Sequence, residues 1–185
     1  MQIWSRAPLR IGLAGGGTDL KEFYSEFGGL VVNATIDMYV YARITPTEES
    51  GVHFVSHDTG EESRLEYEEI DEVRENLDFP ENMPLFFSAY RKILSLTGDV
   101  QSHRLETFSD SPVGSGLGTS SSLCVAILKA YDEWLNIGLT KKMIASMAYE
   151  IERIDCGFEG GIQDQYAASI GGLNRIEIST NGDVK

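Results

Sequence analysis

Gly114, Gly116 and Gly118 alternate through a short loop and run straight into four hydroxyl residues, Thr119 to Ser122, in the stretch "SDSPVGSGLGTSSSLCVAILKAY". Glycine has no Cβ and reaches positive φ at little cost, so such a loop lets main-chain N–H groups approach a ligand closely. The apolar run after Ser122 reads as a buried helix, whose first N–H groups lack intrahelical partners and form the positive end of its dipole. Loop and helix entrance together would make an anion cradle. The pattern is not a Walker A loop, because no lysine follows the last glycine, and not the dinucleotide fingerprint, because Thr119 stands where a third glycine belongs. On its own spacing the stretch fits a flexible turn with a serine cap equally well.

Two further stretches could do chemistry. In "EGGIQDQYAASIGG", Asp164 lies just past a glycine pair at a candidate helix start. Taken alone it reads first as an N-cap or first-turn acid, and more sharply as a general base at the edge of a phosphate site. In "RAPLRIGLAGGGTDL", Arg10 and Asp19 bracket a triple glycine; alone, this is a loop and a cap. His53, His57 and His103 fall on expected strands or turns, with no metal-ligand spacing to acids or thiols.

The elements that must position these groups follow from pattern. Gln2 to Arg6 alternates as a strand, and Thr18 or Asp19 can cap the run "LKEFYSEF", where Leu20, Phe23, Tyr24 and Phe27 are helically spaced for burial. "GGLVVNATIDMYVYARITP" reads as a broken, mostly extended segment. Thr47 to Asp78 is the most acidic part, a solvated hairpin region with strand pieces "VHFVSH" and "SRLEYEE" around the turn "DTGE". Pro84 opens a helix ended by Gly98, and "SHRLETF" is extended. Leu123, Ile127, Ala130, Tyr131 and Trp134 share one helical stripe. Thr140 caps another helix that buries Met143, Ile144, Met147, Ala148 and Ile151, and "LNRIEIS" alternates as a strand. Helices and strands mix without a repeating βα rhythm, which indicates an α+β domain.

The totals bound the function. A chain of 185 residues with 42% hydrophobic content fits one globular domain with a real core. No window has the apolar length of a membrane span and the N-terminus lacks a signal-peptide core, so a cytoplasmic location is the default. Cys124 and Cys156 read as inert core residues. A net charge of −14 argues against nucleic acid, and requires that any polyphosphate be held largely by backbone amides, helix N-termini and a metal ion. "RIEISTNGDVK" carries the hairpin signal Asn181-Gly182 with three residues after it, as though the chain stops mid-hairpin and is a piece of something longer.

Jointly, the three stretches resemble a known family. "PVGSGLGTSSS" is similar to the signature of the GHMP kinases, named for galactokinase, homoserine, mevalonate and phosphomevalonate kinases. "RAPLRIGLAGGGTDL" resembles their sugar-reading motif and "GGIQDQYAASIGG" their catalytic-aspartate segment, in matching order across essentially the whole chain. The triple glycine, "ATID" and "QDQYAA" look most like the D-glycero-D-manno-heptose 7-phosphate kinases. The resemblance implies a ribosomal protein S5 domain 2-like fold for residues 1–185, the N-terminal domain of a kinase whose ferredoxin-like C-terminal domain is absent here.

It also implies roles. Pro112, Gly114, Ser115, Gly116, Leu117, Gly118, Thr119 and Ser120 would bind ATP. Ser120 and Glu152 would hold Mg²⁺, Asp164 would be the catalytic base, and Arg10 the cation beside it. Gly16, Gly17, Thr18 and Asp19 would face the substrate, with Asp19 bonding sugar hydroxyls. Where galactokinases have Glu-His before the Thr-Asp pair, this chain has Gly16-Gly17, leaving space for a larger or phosphorylated sugar, although no cluster of basic residues stands out for a 7-phosphate. The expected reaction is ATP-dependent phosphorylation of the anomeric hydroxyl of a heptose 7-phosphate. The alternatives are another GHMP sugar kinase (fucose, galactose or N-acetylhexosamine) or a non-catalytic nucleotide-binding fragment. Expected partners are a sugar or sugar phosphate and the missing domain, with a homo-oligomer left open.

Overall fold

The computed structural model describes residues 1–66, 69, 82–98, 100–112 and 114–185. Six strands form one sheet: β1 (Ile3–Ala14), β2 (Gly29–Pro46), β3 (Val52–Ser56), β4 (Glu61–Leu65), β5 (His103–Ser109) and β6 (Leu173–Ile178). The helices are α1 (Lys21–Phe27), α2 (Pro84–Thr97), α3 (Thr119–Leu135), α4 (Lys141–Tyr149) and α5 (Gln163–Ile170), with a π-helical turn at Glu150–Asp155. The sheet order is β1-β2-β5-β3-β4, with β6 also paired to β2, and every pairing is antiparallel except β3 with β5. This is the α+β architecture that the mixed pattern indicates.

The 18-residue β2 is the spine of the sheet. One edge pairs with β1, while the other pairs with β6 over Gly29–Ala34 and with β5 over Val40–Pro46. The strand read at Gln2 to Arg6 continues through Pro8, which an edge strand tolerates because no further strand needs its N–H. Register slips immediately afterwards: β1 advances from Pro8 to Arg10 while β2 runs from Tyr39 to Thr35. Irregularities of this kind re-aim side chains, and the residue delivered here is Arg10.

The core lies between sheet and helices. Leu9, Val40, Ile44, Phe54 and Leu105 meet Phe86, Phe87, Tyr90 and Ile93 of α2 and the nearly all-buried face of α3 from Cys124 to Leu128. Sequence expectations fail mainly at α1. Neither Thr18 nor Asp19 caps it; Leu20 is the N-cap, and among the expected stripe only Tyr24 is buried, with Phe27 72% exposed. Met143 is likewise exposed, because α4 turns Ile144, Ala145 and Ala148 inward instead, while the Thr140 cap forms as read. Cys156 is only half-buried, yet burial pushes its thiol up to about 11 and Cys124 well up, so both are unreactive. The β3–β4 hairpin forms, whereas Tyr67, Glu68 and the acidic run from 70 to 78 lie outside the described residues. The Asn181-Gly182 turn closes, with Val184 bridging Ile178. Among the described residues no helix is long and apolar enough to cross a membrane.

His103 is in the sheet as read, but fully inside it, with one ring nitrogen on the Gln101 carbonyl and Nε2 2.7 Å from the Tyr131 hydroxyl. Burial lowers its pKa from 6.5 to about 4. The folded state therefore keeps the ring neutral where the unfolded chain takes a proton. The resulting stability is full above pH 6.5 and is lost as pH falls toward 4. Urea unfolding near pH 7.5 and near pH 4.5 should show wild type losing about 2.5 kcal/mol more than His103→Gln over that interval; equal losses would contradict a buried neutral histidine.

Candidate active site

A cleft of about 750 Å³ opens beside α3. Its wall takes Arg10, Gly17 and Asp19 from the first stretch, Gly114, Ser115, Gly116, Gly118, Thr119 and Ser120 from the second, and Gln163 and Asp164 from the third. Side chains separated by up to 154 residues along the chain thus share one cavity. Gly16, Thr18, Pro112, Leu117 and Glu152, also singled out from sequence, are not in its wall. Leu117 packs against the core instead, and Thr18 spends its hydroxyl on Gly15 and on both backbone groups of Leu30, pinning the triple-glycine turn to β2.

The glycine loop has the geometry of a cradle. Gly114, Gly116 and Gly118 adopt φ of 82°, 74° and 77°, and no intervening described residue does, so the backbone alternates hand. Alternation of this kind turns successive N–H groups toward one concave point. Gly118 is the N-cap of α3 and no side chain caps that helix, which leaves its first-turn N–H groups free for an anion. Arg10 holds the loop in place: its backbone N–H donates to Leu117 O at 3.0 Å and its Nη1 to Gly116 O at 2.8 Å.

The same guanidinium makes a two-point ion pair with Asp164, Nε to Oδ1 at 2.6 Å and Nη2 to Oδ2 at 2.7 Å, with both side chains 17% exposed. A Cβ on Gly118 would sit 3.4 Å from the Asp164 carboxylate, so loop and ion pair are in contact. Asp164 is in the first turn of α5, the plain reading of its sequence context, and its carboxylate is spent on Arg10 rather than on capping. Its two neighbours reach elsewhere. Gln163 donates to Asp19 through its backbone N–H (3.1 Å) and through Nε2 (3.3 Å), and Gln165 Nε2 donates to Glu152 Oε2 at 2.5 Å. Three consecutive residues therefore each grip a different distant segment.

Asp19 is only 2% exposed, with Gly17 N–H as a third donor. The close approach requires Gly161, where a Cβ would lie 1.9 Å from Asp19 Oδ2. Asp19, expected to meet a sugar, lines the cleft and also braces the triple-glycine turn against the start of α5.

Glu152 sits in the π-turn, a local widening often found at functional sites. It is 0% exposed and accepts from Ser120 Oγ at 2.7 Å, Ser121 Oγ at 2.5 Å and Gln165, with Arg153 Nη1 at 3.7 Å. Ser120 is on the cleft side and the carboxylate directly behind it. Hard oxygens of this kind suit Mg²⁺, and the buried Gln165 Oε1 alongside has no partner. Among the described residues no group of three or more acids, histidines or thiols could cage a metal. A cation at Ser120 and Glu152 would thus depend on ligand oxygens and water.

Sequence reasoning singled out Asp164 and missed its neighbours Gln163 and Gln165, as well as Arg153. Glutamine carries no charge or nucleophile to flag it; the available signal was its place either side of the aspartate, in "QDQ".

The GHMP kinases N terminal domain family matches residues 84–172. The chain is 44% identical over 180 residues to a D-glycero-alpha-D-manno-heptose 7-phosphate kinase of Campylobacter jejuni, spanning 97% of this chain and 51% of that protein. All of it superposes on a crystal structure described as a D-glycero-D-manno-heptose 1-phosphate kinase from Bacteroides thetaiotaomicron, with TM-score 0.88 and 37% identity, covering 58% of that chain. It superposes likewise on a putative sugar kinase from Campylobacter jejuni, with TM-score 0.83 and 42% identity, covering 55%. The chain spans a little over half the length of these relatives. Shared sequence over nearly all of its length, and a shared fold over all of it, show that the chain carries a GHMP kinase N-terminal domain.

Proposed function

We propose that this protein is an ATP- and Mg²⁺-dependent sugar kinase that phosphorylates the anomeric hydroxyl of D-glycero-D-manno-heptose 7-phosphate, with this chain supplying the phosphate cradle, the base and an acceptor-facing wall. The observation that carries the reading is the Arg10–Asp164 pair, which touches the glycine loop on one side and shares a helical turn with the Asp19 anchor on the other. The name of the Campylobacter jejuni relative supports the heptose phosphate as acceptor.

Phosphoryl transfer needs in-line placement, compensation of charge on the phosphoryl oxygens and removal of one hydroxyl proton. The amides of Gly114–Thr119 and the uncapped start of α3 would bind the nucleotide phosphates. Bound Mg²⁺ would neutralise charge on the transferring group, with Ser120 Oγ and Glu152 as its contacts from this chain. Arg10 fixes the Asp164 carboxylate with two N–H donors, leaving its other lone pairs to accept the acceptor's proton and leaving the cation beside the developing charge.

In the full-length protein, Asp164→Ala should lower kcat at least about 100-fold with the heptose phosphate while MgATP still binds by calorimetry. Turnover close to wild type would remove Asp164 from the base role, and a stronger preference for unphosphorylated fucose, galactose or N-acetylhexosamine would reassign the acceptor. Ser120→Ala and Glu152→Gln should each raise the Mg²⁺ concentration giving half-maximal rate by roughly tenfold or more; unchanged Mg²⁺ titrations would place the metal elsewhere.

A further inference from the structure

Among the described residues, Arg10 and Arg153 are the two cations in the cleft wall, against the carboxylates of Asp19, Asp58, Glu61, Glu159 and Asp164. Arg10 is committed at every nitrogen, to Asp164 and to Gly116 O. Arg153 is not. Its Nε donates to Gly161 O at 3.3 Å and its Nη1 to Glu159 O at 3.1 Å, while Nη2 enters none of the hydrogen bonds among the described residues. The side chain as a whole is 11% exposed and lines the cleft.

The loop is shaped around that guanidinium. At Gly160, with φ of 143°, a Cβ would lie 2.7 Å from Nη2 and 2.8 Å from the guanidinium carbon, so a side chain there would push the group aside. A mostly buried guanidinium with one nitrogen unmatched, held at a cavity wall by backbone carbonyls and with the Glu152 carboxylate 3.7 Å from Nη1, is complementary to an oxyanion such as phosphate.

We propose that Arg153 Nη2 is a phosphate-binding position of the cleft, distinct from the glycine-loop cradle. This rests on the kinase reading for its source of phosphate, which is either the phosphate carried by the acceptor or the terminal phosphate of the nucleotide. The acceptor side is favoured, because Arg153 holds Gly161, the residue packed on Asp19; the nucleotide side is the second arm of the test, because Nη1 is 3.7 Å from the Glu152 oxygen that accepts from Ser120. A single folded-in arginine would then meet the need for which the sequence offers no basic cluster.

Steady-state kinetics of the full-length protein test this with heptose 7-phosphate, the same heptose without phosphate, and inorganic phosphate as inhibitor. Arg153→Gln should raise KM for heptose 7-phosphate about ten- to a hundredfold, as loss of a charge-assisted hydrogen bond does. It should leave KM for MgATP and for the unphosphorylated heptose unchanged. A rise in KM for MgATP instead would assign the same site to the nucleotide. In either case inorganic phosphate should inhibit wild type and Arg153→Lys more strongly than Arg153→Gln. Equal losses with both acceptors, with phosphate inhibition unaltered, would overturn the proposal and leave Arg153 as a loop support. If no sugar is phosphorylated at all the kinase reading fails, and calorimetry of inorganic phosphate on wild type against Arg153→Gln still decides the site: matching titrations would overturn it.

Discussion

The ion pair between Arg10 and Asp164 is the joint on which the site depends. Arg10 emerges from the slip between β1 and β2, and from that one position it holds the glycine loop by backbone and side chain and orients the acid of α5. Removing either partner leaves a mostly buried charge without its counter-ion, at a cost on the order of 1–3 kcal/mol. Removing the Arg10 side chain also releases its bond to Gly116, in the loop whose amides form the cradle. Position and chemistry are therefore not separable here: the group that would stabilise transferred charge is also the one that builds the pocket.

The first turn of α5 extends that joint to the rest of the cleft. Gln163, Asp164 and Gln165 are neighbours in sequence, and helical geometry sends them in different directions, toward Asp19, Arg10 and Glu152. One rigid turn thus fixes the distances between Asp19, Asp164 and Glu152, the residues proposed to face the acceptor, take the proton and contact the metal. This economy suits a strongly acidic chain. With a net charge of −14 it relies on main-chain dipoles, one cation tied to its acid and one with a nitrogen to spare, rather than on a field of lysines.

Much of this was legible in the sequence because its signals are local. Alternating glycines before a hydroxyl run specify a loop of alternating hand, Thr140 specifies a cap, and Pro84 and Gly98 bound a helix. What was not legible depends on tertiary contact. Thr18 and Asp19 have the chemistry of caps, but β2 and α5 offer them better partners, so α1 starts uncapped. Glu152 could be assigned to a metal by resemblance, yet its full burial behind Ser120 follows only from the π-turn, which no residue preference announces. Gln165 and Arg153 are ordinary helix-compatible residues until the fold brings a carboxylate and a glycine loop against them.

The most direct test of the account is a double-mutant cycle on kcat/KM in the full-length protein, using Arg10→Gln, Asp164→Asn and their combination. If the two residues work as one unit, the double variant should lose little more than the worse single variant, with a coupling on the order of 1–3 kcal/mol. Losses that simply add would mean that Arg10 and Asp164 act independently, and would contradict the joint on which this account of the site is built.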